Sequence, residues 1–427
     1  MEFMVSWILS FSAPAAPERR GVQARRPVVR GLCRVLACLP WAALAAAELP
    51  APAAGDGLSV EPGLGIRQEK NLFRLPPGDP AAAHSERVFI PYVRLRYERG
   101  WSLQSLFIDA TLDEHRYRDH PQLDHQGRRY VAAWRWAITP HLSGSLAAEG
   151  EKALTSFADF RGGKDGNLQS RQTERLSLDW WMGGGMHALA GVAATRLRNS
   201  RAFTEVATSR LTQGEFGLRY VSTAGSEFTL MRRDGEGNYP DRSVDPVNGF
   251  DERFRRRDTE FSLAWPLSAK SQLKLNLGRV AQSYPNVPAR NFSGSQWRAD
   301  YLWSPAASLT LQFSARRELG EWQDRTASYV QSDSYTFAPV WAWSEKLRFR
   351  AGVMRQTRHY LGALDAVPQA RRDRLRGVEY GLAWTPRSAL TLGLTARTES
   401  RASSPDAVAA LRDYSARSLA LDVRLHF

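Results

Sequence analysis

Three groups of side chains in this sequence have the chemistry to act on something. The segment Asp113-Glu-His-Arg-Tyr-Arg-Asp-His-Pro-Gln-Leu-Asp-His125 gathers His115, His120 and His125 with Asp113, Asp119 and Asp124. Imidazole and carboxylate together can hold a divalent metal, but the spacing matches no standard zinc pattern. Asp241, Asp245, Asp251 and Glu252 could attract calcium, yet they lack the spacing of an EF-hand loop. The third group is arginine, recurring at alternate positions in segments that switch between apolar and polar. No nucleophile elbow, phosphate-binding loop or dinucleotide fingerprint is present. The reading is therefore no catalytic residue, no metal site, no cofactor, and a protein that is not an enzyme.

Alternation puts the arginines on one face. In 308–317, Leu309, Leu311 and Phe313 share a face and leave Thr310, Gln312, Ser314 and Arg316 on the other. In 346–357, Leu347, Phe349 and Ala351 oppose Arg348 and Arg350. The same parity assigns Arg135, Arg219, Arg298, Arg397 and Arg424 to the polar face, with Asp179, Glu215, Asp300, Glu379 and Asp422. If the apolar face meets lipid, an arginine on it at mid-depth costs about 2–4 kcal/mol. The polar face is then a lumen, and these eight arginines are candidates to line a solute path. Two readings stay open. Arginines and carboxylates can pair into ladders that stiffen a wall, or unpaired arginines can line a path for an anion.

The elements that must position them are strands, two to a repeat. Trp136, Trp180, Trp265, Trp303, Trp343 and Trp384 each stand just before a turn, at intervals of 44, 85, 38, 40 and 41 residues. The long interval spans two periods, and Tyr220 before Ser222-Thr-Ala-Gly-Ser226 fills the gap. A period near forty fits an up-and-down barrel or a propeller. The connections decide for the barrel. Tight turns near Gly100, Pro140, Gly184, Ala224, Ala269, Ala306, Glu345 and Arg387 alternate with longer polar segments such as Pro76–Ser85, Gly235–Arg253 and Gly362–Asp373. Short turns at one end and long loops at the other mark an outer-membrane barrel, and the tryptophans suit a girdle at a membrane interface. The last strand alternates Leu419, Leu421, Val423, Leu425 and Phe427 against Ala420, Asp422, Arg424 and His426, so it ends in a terminal Phe427 like an outer-membrane barrel signal.

The bulk numbers agree. No run of eighteen apolar residues follows the N-terminal region, which excludes a helical membrane protein. Mean hydropathy is −0.42, which says nothing against a barrel, because its two faces average out. A basic stretch from Arg19 to Arg34, an apolar one from Val35 to Ala47 and small residues before Glu48 read as a signal peptide over 1–47, followed by a linker over 48–57. Val35-Leu-Ala-Cys38 only faintly resembles a lipoprotein site. Cys33 and Cys38 both lie in that segment, so the mature chain has no thiol chemistry. Removing 1–47 takes away six arginines and two glutamates, and the formal charge falls from +14 to +10. That balance favours anionic partners or an anionic membrane surface. The expected architecture is all-β: a transmembrane antiparallel up-and-down β-barrel of about 18 strands (16–18) over 58–427, in the bacterial outer membrane.

Several segments resemble the EpsL family, barrel proteins associated with exopolysaccharide biosynthesis operons of exosortase-bearing Gram-negative bacteria. They are Asn71-Leu-Phe-Arg-Leu-Pro76, Ser156-Phe-Ala-Asp-Phe-Arg-Gly162 with Asn167-Leu-Gln169, Arg232-Arg-Asp-Gly-Glu-Gly-Asn-Tyr-Pro-Asp-Arg242, Tyr284-Pro-Asn-Val-Pro-Ala-Arg-Asn-Phe-Ser-Gly294 and Ala327-Ser-Tyr-Val330. Where the family leads one to expect acidic residues before Asn71, this chain has Gln68-Glu69-Lys70. The resemblance implies an outer-membrane component that helps export or assemble an exopolysaccharide. Its implied partners are that polymer, outer-membrane lipid and inner-membrane or periplasmic export components, with no nucleic acid. The residues alone leave a general or anion-selective porin, or a structural barrel with a closed lumen, as alternatives. Asp234-Gly235 and Asn238-Tyr-Pro240 read as turn formers, and Phe157 and Phe160 as anchors of a loop in the barrel mouth.

Overall fold

The computed structural model describes residues 57–159, 166–201, 206–365, 370–404 and 412–427. The signal-peptide reading lies outside them, as does the linker except for Gly57, which already belongs to the first strand.

Eighteen strands follow one another: β1 Gly57–Lys70, β2 Ser85–Trp101, β3 Gln104–Tyr117, β4 His125–Ala137, β5 Leu142–Leu154, β6 Leu168–Gly183, β7 Met186–Asn199, β8 Ser209–Val221, β9 Glu227–Asn238, β10 Arg253–Ser268, β11 Ser271–Ser283, β12 Phe292–Ala306, β13 Leu309–Glu321, β14 Tyr329–Ala342, β15 Leu347–Leu361, β16 Arg372–Arg387, β17 Leu390–Ser404 and β18 Tyr414–Leu425. Each pairs antiparallel with the next. β18 pairs with β1, Leu421 opposite Ile66, and closes the sheet. Closure leaves no strand edge unpaired, as a backbone in lipid requires. At the seam the Phe427 N–H donates to Val60 O at 3.1 Å and the Val60 N–H to Phe427 O at 3.2 Å.

The two faces divide as alternation dictates. Leu146, Phe216, Leu230, Val353, Tyr380 and Leu421 are exposed on the outside. An exposed apolar belt on a closed barrel is a surface for lipid, not water. All eight tight turns fall where the sequence places them, and the long loops share the other end. The girdle positions Trp180, Trp265, Trp303, Trp343 and Trp384 are exposed at the turn end, and Trp136 is half-buried there opposite Gly144. Trp101, Trp134 and Trp341 join them, whereas Trp181, paired with His187, is on the inner face. Phe427 is exposed beside the seam.

One reading is corrected. Asp234, Gly235 and Asn238 are not turn residues but part of β9, which runs on to Asn238. Gly235 pairs with Gln213 and Arg256, and Gly237 with Leu211 and Phe254. A Cβ at Gly237 would lie 2.2 Å from the Phe254 ring, so this glycine marks a close approach within a strand. The loop therefore begins at Tyr239.

Candidate functional site

The lumen wall is where the charged side chains collect, and most are matched. The commonest device is a pair two positions apart on one strand, which strand geometry puts on one face. Arg298 meets Asp300 at 2.5 Å, Arg397 meets Glu399 at 2.6 Å and Arg424 meets Asp422 at 3.3 Å. Arg316 and Glu318 stand 3.7 Å apart. Other pairs cross strands: Arg350 reaches Glu379 at 2.7 Å, and Arg219 binds Asp179, whose other oxygen bonds His187 at 2.6 Å. Arg424 also donates to the Tyr92 hydroxyl at 3.0 Å. Arg135 stands opposite Ser105 and Ser145 on the same inner face. Arg348, between Ala342 and Ala383, has no carboxylate partner among the described residues. The sequence-predicted arginines are thus spread around the wall rather than gathered at one point. Arg-x-Asp and Arg-x-Glu, and the reverse, were the signal for the same-strand pairs.

A second feature was only half visible. The loop after β5 turns inward. Phe157 packs with Leu72, Val88, Tyr117 and Leu123, and its ring lies 4.9 Å from that of Phe73. Ala158 packs on Tyr414 and Ala416. Asp159 then accepts from Arg358 of β15 at 3.0 Å and from Arg401 of β17 at 3.1 Å. Strands β4, β3, β2, β1 and β18 separate β5 from β17, so the loop lies across the inner wall. Asp373 extends the cluster, bound by Arg371 at 2.5 Å and by the Tyr360 hydroxyl at 3.1 Å. Phe160, the other aromatic expected to anchor this loop, lies outside the described residues.

Next to it the chain after β1 is pinned. Asn71, at φ 59°, donates to Leu75 O and Ser415 O at 2.9 and 3.0 Å, and accepts from the Leu75 N–H at 2.8 Å. Arg74 bridges Glu69 at 2.7 Å and Glu399 at 2.6 Å. The single acid Glu69 thus holds the loop where an acidic pair was expected.

The segments that carry the family resemblance meet at the long-loop end. Tyr239 donates to Glu321 at 2.8 Å, and Gln323 donates to the hydroxyls of Tyr239 and Tyr284 at 2.8 and 3.0 Å. Arg290, fully buried, donates to the carbonyls of Asp324 and Ala327 at 3.1 and 3.2 Å. Burial pushes the Tyr239 and Tyr284 phenols well up, so both stay protonated. Asp251 accepts from the Asn286 N–H and side-chain amide at 2.7 and 2.9 Å.

The three histidines do not converge on one point. His115 pairs with Asp113 at 2.7 Å and stacks on His125 at 4.5 Å, whereas His120 bonds Glu86 at 2.5 Å. His84, Glu86 and His120 each offer an atom within 4.8 Å of the others, but the buried Glu86 already accepts from His120 and from the Asp119 N–H. Asp245 caps its own loop through Asn248 at 2.7 Å.

Comparison with known proteins places the architecture. No family model and no curated protein matches the chain. Solved structures do. OccK2 (OpdF) of Pseudomonas aeruginosa, in complex with glucuronate, is 12% identical with TM-score 0.50, over 86% of this chain and 98% of that one. OpdK of Pseudomonas aeruginosa with vanillate is 11% identical with TM-score 0.49, over 87% and 100%, and OccAB3 of Acinetobacter baumannii is 11% identical with TM-score 0.48, over 87% and 99%.

Proposed function

We propose that this bacterial outer-membrane, porin-like barrel takes part in exopolysaccharide biosynthesis or export as a passive polar conduit for an anionic polysaccharide. The observation that supports it is the inner wall. Rows of arginine face the lumen, and those paired with a neighbouring carboxylate can swap that partner for a sugar carboxylate. Many weak sites let a polymer slide, whereas one strong site would hold it, since conduction needs exit as well as entry. Arg348, without a carboxylate of its own, is the residue most available to cargo. OccK2 (OpdF) holds glucuronate, so a barrel of this architecture admits a carboxylated sugar. The polymer itself comes from the resemblance of the loop segments, and the conduit would work with inner-membrane and periplasmic export components.

A second reading, an anion-selective porin for small solutes, is favoured by the Asp159 loop, which packs against the inner wall. Single-channel conductance of the purified barrel, with and without isolated exopolysaccharide, separates the two. The export reading expects a conductance blocked by the polymer, and block should weaken when Arg316, Arg348 and Arg350 are changed to Gln. A conductance indifferent to polymer supports the porin. A silent barrel that folds normally supports a closed, structural lumen.

A further inference from the structure

The outward face carries its own ring of cations, just beyond the apolar belt at the long-loop end. Some of these are matched. Arg116 pairs with Glu114 at 3.1 Å, Arg196 with Glu174 at 3.1 Å, Arg255 with Glu236 at 3.2 Å and Arg317 with Asp333 at 2.6 Å. Arg128, opposite Lys152, and Arg198 and Arg279 have no carboxylate partner among the described residues either, but on the arc from β15 through β18 to β2 such cations gather. Lys70, Arg87, Arg355, Arg374, Arg376 and Arg417 are exposed there, and among the described residues none has a carboxylate partner. The outward positions on the long-loop halves of these strands hold no Asp or Glu.

Register makes the arrangement stranger. Arg355 stands directly opposite Arg376, and Lys70 directly opposite Arg417. Like charges facing each other across a strand pair are destabilising, so each of these pairs, one on either side of β17 with its Thr398 and Ser400, calls for an anion. A groove of about 340 Å³ starts at this spot. Lys70, Ser85 and Arg417 line its head, and Val378, Tyr380 and Leu419 line its foot. Tyr380 and Ala396 also belong to a second groove of about 620 Å³, lined by Trp341, Phe349, Leu382 and Leu394. Both run over the lipid-facing surface. A cationic head thus continues into an apolar channel that points toward the middle of the membrane.

We propose that this face is a binding site for a phosphorylated, acylated lipid of the outer leaflet. Arginine forks match phosphate oxygens and stay charged at any physiological pH. The phosphates would sit between the opposed cations and an acyl chain would follow the apolar groove. Charge complementarity and the order of the surface, cation above apolar, select a lipid over a soluble partner. The site is independent of what passes through the lumen.

The test is native mass spectrometry of the delipidated barrel with a bis-phosphorylated diglucosamine lipid (lipid A), and with the same lipid after its phosphates are removed. Wild type is expected to prefer the phosphorylated lipid by at least about tenfold, given the attraction of each basic residue to an anionic lipid. Changing Lys70, Arg374, Arg376 and Arg417 to Gln should abolish the preference, whereas changing Arg255 and Arg257 on the paired arc should leave it. Heat-modifiable gel mobility checks that each variant folds; should the quadruple variant fail, Arg374→Gln/Arg376→Gln serves with a smaller expected loss. Equal binding of the two lipids by wild type overturns the proposal. So does an equal loss in the paired-arc variant, or a species of two chains in place of the lipid adduct.

Discussion

At the scale of single residues, pairing decides what an arginine can do. Asp159 is buried between Arg358 and Arg401, and Arg401 is itself almost fully enclosed. Breaking a buried ion pair by removing one partner typically costs about 3–5 kcal/mol, because the remaining charge is left uncompensated. Asp159→Asn keeps the shape and loses the charge, so the loop should detach from the inner wall. The expected outcome is a larger and noisier single-channel conductance with the barrel still folded; an unchanged conductance would mean that the loop does not narrow the path. Arg348 and Arg298 give the opposite contrast. Arg348→Gln strands no carboxylate and should shift stability by less than about 0.5 kcal/mol, while reversal potentials lose part of any anion preference. Arg298→Gln takes from Asp300 its 2.5 Å partner and leaves it Ser314 and, opposite on β11, Lys274, so its effect should appear first as a lower midpoint of unfolding.

At the scale of elements, the strands were legible and the loops were not. Lipid outside and water inside enforce alternation residue by residue, so Leu309-Thr-Leu-Gln-Phe313 announces its own faces, and so does the last strand. Turn chemistry fixed the eight tight connections for the same local reason. Where a contact joins distant parts of the chain, no local pattern records it: Asp159 meets Arg401 across 242 residues, and Asp234-Gly235 looks like a turn former until Gln213 and Arg256 are paired with Gly235 on either side. Asp251 shows what such a contact is worth. Burial pushes its carboxyl up, but hydrogen bonds from the Asn286 side chain and backbone and from the backbone of Arg253 and Glu252 outweigh this and hold it below the ordinary value of 3.8. A lowered folded value means that the contribution is complete above the ordinary value and disappears as pH falls through the lowered one. The clasp between 239–252 and Asn286 should therefore hold fully above the ordinary carboxylate range and open only as the pH falls below the ordinary 3.8. Pepsin cleavage within 239–252 checks it. Asp251→Asn should already be cut at pH 4, and identical cleavage in the variant and wild type across this range would show that the carboxylate does not hold the loops.

At the scale of the whole molecule, depth in the membrane is written along each outward face. β18 gives the clearest gauge, because one face carries Arg417 at the rim, Leu419 and Leu421 in the belt, and Leu425 near the turn end. Arg417 is tolerated because headgroups and water reach it. Leu421 stands between Ile66 and Leu394, with nothing polar opposite on either neighbour. An arginine at Leu421 should cost about 2–4 kcal/mol, as at the midplane of other outer-membrane barrels. Arg417→Leu, four residues along the same face, moves no charge into lipid and should cost far less, so the two variants form a matched pair in which only depth differs. Guanidinium unfolding of the barrel refolded into lipid vesicles reads the difference as a lowered midpoint for Leu421→Arg alone. Equal midpoints would place the hydrocarbon boundary elsewhere along β18, and with it both the belt and the cationic rim above it.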